Sequence, residues 1–458
     1  MIYSVLILSL IGIGLMIYRR EWMPYILIFV LPLEIIPAAD IAGVTLRISN
    51  VLFAVAFLMI IWEAIKNKNK LFFKYDIFLL GFLITGLISL IQAINLHRGF
   101  VFFLSIAYVF VVFIVTRYLM MQKTFYQMKI VKFLCITFFI TSVLGIYQYL
   151  GQIFGLSGAA TFAREPYRIG AFNFPRIEST MYEPMYLANF MVLPVILVLI
   201  MIIKDIKLIA KKWLYGLLIL FGTVFVLTLS RGGYLALAVA LVGLLFYTWR
   251  ELNLKKIIYL VIAGGMVLGI SFVLVTFSGW YYPKYVAKPK VNISGTIQAT
   301  KEEVSSVKSF VNHSKNTKDG SISDRTWRNQ TALEVWRSSP IIGVGLGNYG
   351  PYVVKNMGDT ERYKIVLNVY YELLAETGII GFSMLIVFWG YIFWMACRFL
   401  KIVQNNEKWI VAAIFMALVG MMVQWASFSP LYIAHLWFVF GLLAGLIQIL
   451  HEEKYEKN

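Results

Sequence analysis

The sequence predicts an all-α polytopic membrane protein, and three observations support that fold class. The chain has 458 residues, of which 60% are hydrophobic and only 14% are charged, whereas soluble domains carry about 25% charged residues. Its mean hydropathy is +0.78. Many apolar runs also approach the ~20 residues that a helix needs to cross a bilayer.

About thirteen such runs follow one another along the chain. They lie at about 2–18, 22–39, 48–65, 76–95, 100–116, 131–152, 184–203, 213–229, 234–249, 257–278, 379–397, 409–428 and 431–450. Arg19 and Arg20 follow the first run at once, and that run lacks the basic start and cleavage site of a signal peptide. We therefore interpret it as a retained span. If it does not cross, twelve spans remain, so we expect about 12–13 transmembrane helices.

Lysine and arginine are concentrated in alternate loops between these runs. Basic loops lie at 66–74, 117–132, 204–212, 250–256 and 398–408, whereas the loops at Arg47, Arg98 and Arg231 carry one arginine each. Because short basic loops stay in the cytoplasm, the alternation predicts an external N-terminus and a cytoplasmic tail. The net charge of +18 is then largely a matter of topology, and we expect no nucleic-acid partner.

The predicted spans divide the chain into three parts. Residues 1–278 are expected to hold transmembrane helices 1–10 with a short external loop at 153–183. Residues 279–378 form a large external loop, and residues 379–458 hold helices 11–13 and the cytoplasmic tail.

The large loop is predicted to contain two helices that lie on the outer membrane surface, over the mouth of the bundle. Asp324 can cap the first, at 325–338. The second, at about 361–376, is expected to carry Glu372 and Glu376 as surface charges and to end at Gly378.

An arginine turn joins two of the predicted spans. It reads Thr228, Leu229, Ser230, Arg231, Gly232, Gly233. An ionisable residue at the lip of a span is costly and suggests a function. The plain alternative is a turn whose arginine snorkels to the interface.

The loop at 153–183 concentrates arginines and acids beside the membrane. It ends with Glu183 directly before Pro184. A proline in the first helical turn and an acid at a helix N-terminus are both structurally ordinary. That explanation accounts for Glu183 but not for the other charges of the loop.

Several kinds of site are not predicted by the sequence. No His/Cys cluster has zinc spacing, and neither a phosphate-cradling Walker loop nor a G-x-G-x-x-G turn occurs. We therefore expect neither a metal nor another cofactor.

Three segments in order resemble the O-antigen ligase and O-antigen polymerase superfamily. They are the arginine turn, then Arg325 and Trp327 followed by the glycine-rich stretch 340–349, and finally the stretch 368–381. The likeness covers roughly residues 165–450. It implies a GT-C-like, metal-independent inverting glycosyltransferase of the bacterial cytoplasmic (inner) membrane, with its active site facing the periplasm or cell exterior. The implied substrates are sugars on undecaprenyl pyrophosphate, and ordinary membrane lipids surround the protein.

One position departs from the family pattern. Ligases have a histidine, implicated as the acceptor-activating base, immediately before the asparagine that Asn368 matches, and here that residue is Leu367. The Glu183–Pro184 pair after Arg176 is similar to exopolysaccharide polymerases of this superfamily. Both features favour a polymerase of lipid-linked repeat units (O-antigen, capsule or exopolysaccharide), for which a chain-length-regulating membrane protein is a possible partner. A ligase remains the alternative, as does a lipid-linked sugar flippase or secondary transporter.

The chemistry of such a transfer suggests roles for individual residues. Guanidinium groups suit a pyrophosphate leaving group because they are bidentate and always charged, although Arg325 has a salt bridge with Asp324 as its plain alternative. Inverting transfer also needs a general base on the acceptor side. The predicted site residues are Arg231, Arg325, Arg176 and Arg168 for the pyrophosphate, Glu183 and then Glu178 as base, and, more weakly, Tyr349, Asn368, Tyr371 and His435 for the sugar.

Overall fold

The structure is a computed structural model, and it describes residues 2–35, 38–41, 44–122, 127–161, 168–169, 172–173, 175–286, 320–358, 365–402 and 408–455. The helices are α1 (Ile2–Tyr18), α2 (Met23–Val30), α3 (Ile48–Asn67), α4 (Asp76–Ser89), α5 (Leu96–Met120), α6 (Gln127–Ile153), α7 (Gly158–Thr161), α8 (Pro184–Ile203), α9 (Lys211–Leu227), α10 (Arg231–Thr248), α11 (Leu254–Val286), α12 (Gly320–Ser338), α13 (Tyr349–Met357), α14 (Val369–Ile402), α15 (Lys408–Gln424) and α16 (Ala434–Tyr455). Two antiparallel strand pairs accompany them, β1 (Ala38–Ile41) with β2 (Val44–Arg47), and β3 (Arg168–Ile169) with β4 (Phe172–Asn173).

Most of these helices are apolar enough for a membrane. Within the described ranges, eight reach spanning length and hydropathy, namely α3, α5, α6, α8, α10, α11, α14 and α15. Shorter apolar helices are Tyr3–Tyr18 in α1, Asp76–Gln92, which begins with α4, and Ala434–Ile449 in α16. The predicted fold class, an all-α polytopic membrane protein, is confirmed.

The second predicted span is wrong in its helical extent. Instead of running over 22–39, α2 ends at Val30 after eight residues, a length of about 12 Å. Pro32 lacks an N–H and so cannot donate the next hydrogen bond of the helix. The chain then reaches Glu34, whose N–H donates to the carbonyl of Thr180 at 3.1 Å.

Helix α8 lies at the centre of the bundle. Its sequence is apolar on every face, a pattern typical of a helix buried all round, and 89% of its most apolar window is buried. Helices α9, α10 and α15 pack against it. Glu183 precedes its first residue and Lys204 follows its last, so these two residues lie at opposite ends of a helix about 30 Å long.

These two ends of α8 differ in character. At the Lys204 end, the Nζ of Lys204 lies 2.5 Å from a Glu251 carboxylate oxygen, and that of Lys256 lies 2.7 Å from Asp205. We call this the basic end. The opposite end, which carries Glu183, is called the site end.

Helix α12, helix α13 and the glycine-rich stretch between them share a small core of their own at the site end. Its buried members are Ala332, Val335, Val344, Tyr349, Val353, Val366 and Ala375. Two hydrogen bonds join the start of α5 to the glycine-rich stretch. Arg98 Nε donates to the carbonyl of Gly347 at 2.5 Å, and the N–H of Asn95 donates to Asn348 Oδ1 at 2.7 Å.

Helix α14 is broken at Gly378, where the sequence predicts the end of a helix. Gly378 has φ 64° and ψ −170°, a conformation that is essentially restricted to glycine. A Cβ there would collide with the main chain of Ile341. After the break, the N–H of Ile379 donates to the carbonyl of Pro340 at 2.9 Å, so the glycine-rich stretch is fastened to the kink.

The first part of α14 is buried, and this overturns the prediction of a surface helix with surface charges. Glu372 and Glu376 are only 3% and 4% exposed. The carboxylate of Glu376 accepts hydrogen bonds from the N–H groups of Gly347 and Tyr349 at 2.8 and 3.2 Å. Spacing along a helix could not reveal this, because the donors lie some 27–29 residues away.

Candidate functional site

The arginine turn joins the end of α9 to the start of α10 at the site end. Leu229 takes a positive φ of 50°, and the Ser230 hydroxyl accepts a hydrogen bond from the N–H of Gly233 as the N-cap of α10. Arg231 is the first residue of α10 and its side chain is exposed. Its position is therefore set by a capped helix start.

The two glycines after Arg231 permit close helix packing. A Cβ on Gly233 would lie 2.7 Å from the Cβ of Ala188 in α8, and one on Gly232 would collide with the Ser427 side chain that follows α15. Side chains at these positions would push α10 away from α8 and α15. The glycines thus fix Arg231 relative to the core of the bundle.

Arg176 is used partly to hold this turn. Its Nε donates to the main-chain carbonyl of Thr228 at 2.7 Å, and one terminal nitrogen donates to that of Leu229 at 3.3 Å. These carbonyls belong to the two residues that directly follow α9, where no further helical turn supplies a donor. Sequence reasoning assigned Arg176 to the substrate, whereas two of its five donors bind the chain itself.

Arg325 lies close enough to Arg231 for the two charges to interact. The pKa of the Arg325 guanidinium is lowered from its ordinary value, first by burial and then by the positive charge of Arg231, with Asp324 opposing the shift. Its Nε is buried and has no hydrogen-bond partner within the described residues. Two guanidinium groups at one lip form a site suited to an anion with several oxygens.

The plain alternative for Arg325 was a salt bridge with Asp324. The hydrogen-bonded partner of the Asp324 carboxylate is instead Arg328. Asp324 Oδ2 accepts from Arg328 Nε at 2.7 Å, one helical turn along α12. Arg328 also donates to the carbonyl of Ile365 at 2.9 Å. Asp324 and Arg328 therefore form a structural pair.

The predicted carboxylates occupy different settings. Glu183 is half-buried at the N-cap position of α8, but its side chain makes no capping hydrogen bond there. Glu178 is buried, with 4% of its surface exposed, and its main-chain N–H donates to Gln148 at 3.1 Å. Arg168 contributes its backbone to β3, and its side chain lies outside the described part of the chain.

Two of the three predicted sugar-binding groups near α14 have structural roles. Asn368 is 6% exposed and its Oδ1 accepts from the N–H of Tyr370 at 3.0 Å, which caps the start of α14. Tyr349 is 1% exposed, and its hydroxyl donates to the carbonyl of Arg328 at 3.3 Å. Its ring is therefore enclosed rather than open for stacking. Tyr371 is half-buried against the small core.

His435 pairs with a residue that sequence reasoning missed. Its Nδ1 lies 3.4 Å from an oxygen of Glu34, and both side chains are buried. The other Glu34 oxygen accepts from the N–H of Tyr182 at 3.4 Å. A glutamate inside a predicted span was the signal that could have revealed it, because such residues are rare and functional.

A cavity of about 410 Å³ opens beside Glu34. Its polar lining includes Glu34, Arg47, Tyr182, Tyr186, Glu372 and Ser429. The Ser429 hydroxyl donates to Glu372, and the Arg47 guanidinium lies 5.2 Å from the centre of the Tyr182 ring. Sequence reasoning predicted neither the cavity nor the presence of Glu34 and Glu372 in its lining.

Part of this site lies in a region that matches a known protein family. Residues 216–386 match the family model described as O-antigen ligase. Over this region the chain is similar to the O-antigen ligase and polymerase superfamily. No curated protein matches the chain significantly.

The matched O-antigen ligase region covers part of the site. It contains Arg231 and Arg325 together with the first half of α14. Arg176, Glu183 and the Glu34–His435 pair lie outside it. The matched region thus includes both arginines, while most of the residues that line the cavity lie outside it.

Proposed function

We propose that the protein is a polymerase of undecaprenyl-pyrophosphate-linked oligosaccharide repeat units that acts on the outer face of the bacterial cytoplasmic membrane. The observation that carries the proposal is that the buried Nε of Arg325 has no hydrogen-bond partner among the described residues, while the charge of Arg231 lies within electrostatic range of this guanidinium. The match to the O-antigen ligase family model, which contains both arginines, supports glycosyl transfer as the chemistry.

The arginine pair suits the donor. Negative charge grows on the pyrophosphate as the glycosidic bond breaks, and fixed guanidinium groups stabilise it without a metal. Arg231 is fixed by its capped helix start and Arg176 by its bonds to Thr228 and Leu229. Prearranged donors of this kind need little reorganisation as the reaction proceeds.

On the acceptor side, we assign Glu183 as the general base. It accepts the proton of the attacking sugar hydroxyl, the oxygen forms a bond to the anomeric carbon, and the bond to pyrophosphate breaks with inversion. Its carboxylate does not cap α8, although it directly precedes that buried helix. A carboxylate in this role takes over the function that Leu367 cannot perform.

A ligase is the second candidate, because the description of the matched family is O-antigen ligase. The two reactions share the donor and differ in the acceptor. A polymerase uses another lipid-linked repeat unit, whereas a ligase uses a different lipid or a protein. Leu367 and the Glu183–Pro184 pair favour the polymerase.

The test is reconstitution in vesicles with a lipid-linked repeat unit as the sole substrate, in the presence of EDTA. We expect a ladder of products on a gel, and we expect Arg231→Ala to abolish it. The matched control is Arg250→Ala, which removes an exposed arginine just beyond the other end of α10 and should leave the ladder intact.

Two other outcomes would change the conclusion. A single transfer that requires a second kind of acceptor would identify a ligase. The absence of a covalent product with every acceptor would contradict the proposed glycosyl transfer and would favour transport of the lipid-linked sugar.

A further inference from the structure

A pair of amides joins two of the most apolar helices of the bundle. Asn189 is the one amide side chain among the twenty residues of α8, and Gln424, the last residue of α15, is the one amide in that helix. Asn189 Nδ2 donates to Gln424 Oε1 at 3.0 Å and to the main-chain carbonyl of Met421 at 3.1 Å. Both side chains are buried, so the pair is a hydrogen-bonded contact inside an otherwise apolar helix interface.

Gln424 also contacts the two segments that carry the proposed base and the proposed pyrophosphate ligand. Its Nε2 donates to the main-chain carbonyl of Met185 at 3.0 Å, and Met185 is two residues after Glu183. Its Cγ would lie 3.3 Å from a Cβ on Gly232, which directly follows Arg231. One buried side chain therefore joins the start of α8 to the start of α10.

Stability does not explain this pair of amides. The remaining side-chain oxygen, Asn189 Oδ1, is buried and has no hydrogen-bond partner among the described residues, and an unsatisfied buried acceptor lowers stability. Replacing both partners of a buried hydrogen bond by apolar groups of the same shape can be nearly neutral or stabilising. What the amides add is register, because a polar pair in apolar surroundings is satisfied in only one alignment of its two helices.

We propose that Asn189 and Gln424 are positioning residues that set the separation between Glu183 and Arg231. They act through α8 and α10, and they touch neither substrate. The roles of the base and of the arginine rest on the proposed function. A misplacement of about 1 Å can cost about 10²-fold in rate, so the register of these helices controls the transfer step more than it controls substrate binding.

The pair is tested by replacing both amides with apolar residues of similar size, Asn189→Leu together with Gln424→Met. Either change alone should lower the Tm, because it leaves a buried amide without its partner. The double variant should keep the Tm of the unaltered protein. In the reconstituted assay, we expect it to lose about tenfold or more in kcat.

Substrate binding by the double variant should be unaffected. Its KM for the lipid-linked repeat unit should stay at the unaltered value, as expected when only the transition state is destabilised. Inorganic pyrophosphate should raise its Tm as much as that of the unaltered protein, because Arg231 and Arg325 are retained. A merely structural role would lower kcat only together with stability.

Tyr75→Phe together with Gln448→Met is the matched control. Gln448 Nε2 donates to the Tyr75 hydroxyl at 2.8 Å, so this double variant also removes both partners of a polar pair between chain segments. Gln448 lies about 20 Å along α16 from His435, which is beside the cavity. The control should keep the kcat of the unaltered protein.

Four results would overturn the proposal. They are an unchanged kcat in the amide double variant, a fall in its Tm as large as in the single variants, loss of the pyrophosphate-induced rise in Tm, and an equal loss of kcat in the control. Failure of the proposed function looks different, because the unaltered protein would then form no transfer product. That result would remove the polymerase and the positioning role with it.

Discussion

Arg176 Nε donates a 2.7 Å hydrogen bond to the main-chain carbonyl of Thr228, three residues before Arg231. The bond ties the 175–180 segment to the end of α9, so an arginine that a sequence pattern links to substrate also shapes the turn that presents Arg231. The conformation of the arginine turn therefore depends on a hydrogen bond between residues that are 52 positions apart in the chain.

Arg176 is therefore a positioning residue as well as a candidate ligand. We expect Arg176→Gln to lower the free energy of unfolding by about 2 kcal/mol, since a charged donor to two carbonyls is lost, and to reduce transfer. Arg176→Lys should restore part of the activity by keeping one charged donor. Activity lost equally in both variants, with unchanged thermal unfolding, would instead identify a direct substrate contact.

The arginine pair should bind diphosphate cooperatively. Inorganic pyrophosphate should raise the Tm of the detergent-solubilised protein, because a ligand that binds only the folded state stabilises it. Arg231→Ala and Arg325→Ala should each lose most of this rise, and the double variant should lose little more. Arg337→Ala, an exposed position near the end of α12, is the control. Additive losses would mean that the two arginines act at separate sites.

Glu183 should affect transfer without affecting donor binding. We expect Glu183→Gln to reduce the transfer rate about 10²–10⁴-fold, the range attributed to a general base, while the pyrophosphate-induced rise in Tm persists. Glu334→Gln, an exposed acid on α12, serves as the control. Transfer at the unaltered rate would remove Glu183 from the mechanism.

The break at Gly378 should be essential to the site end. Gly378→Ala forces a Cβ into the main chain of Ile341 and into a glycine-only conformation, which costs of order 1–3 kcal/mol for the backbone alone. We expect a clear fall in the midpoint of thermal unfolding and loss of monodisperse protein. Gly390→Ala on the same helix has open space at the Cβ position and should be tolerated. Similar stability of the two variants would contradict the role of the break.

Local signals in the sequence predicted much of the fold. Apolar length predicts most of the helices, because a bilayer requires a nearly fixed number of apolar residues. The break at Gly378 and the turn before α10 are also local, since glycine, serine and helix-cap chemistry act over a few residues. Pro32 could have predicted the early end of α2 on the same grounds.

The sequence by itself thus determined the membrane class, the arginine turn and the approximate helix boundaries. Only the tertiary structure decided which charges meet. Glu34 reaches His435 across 401 residues, Asp324 turns to Arg328 instead of Arg325, and Glu372 and Glu376 are buried rather than on a surface. The physical reason is that side-chain burial and partnership depend on how helices pack, and segments distant in the chain supply those neighbours.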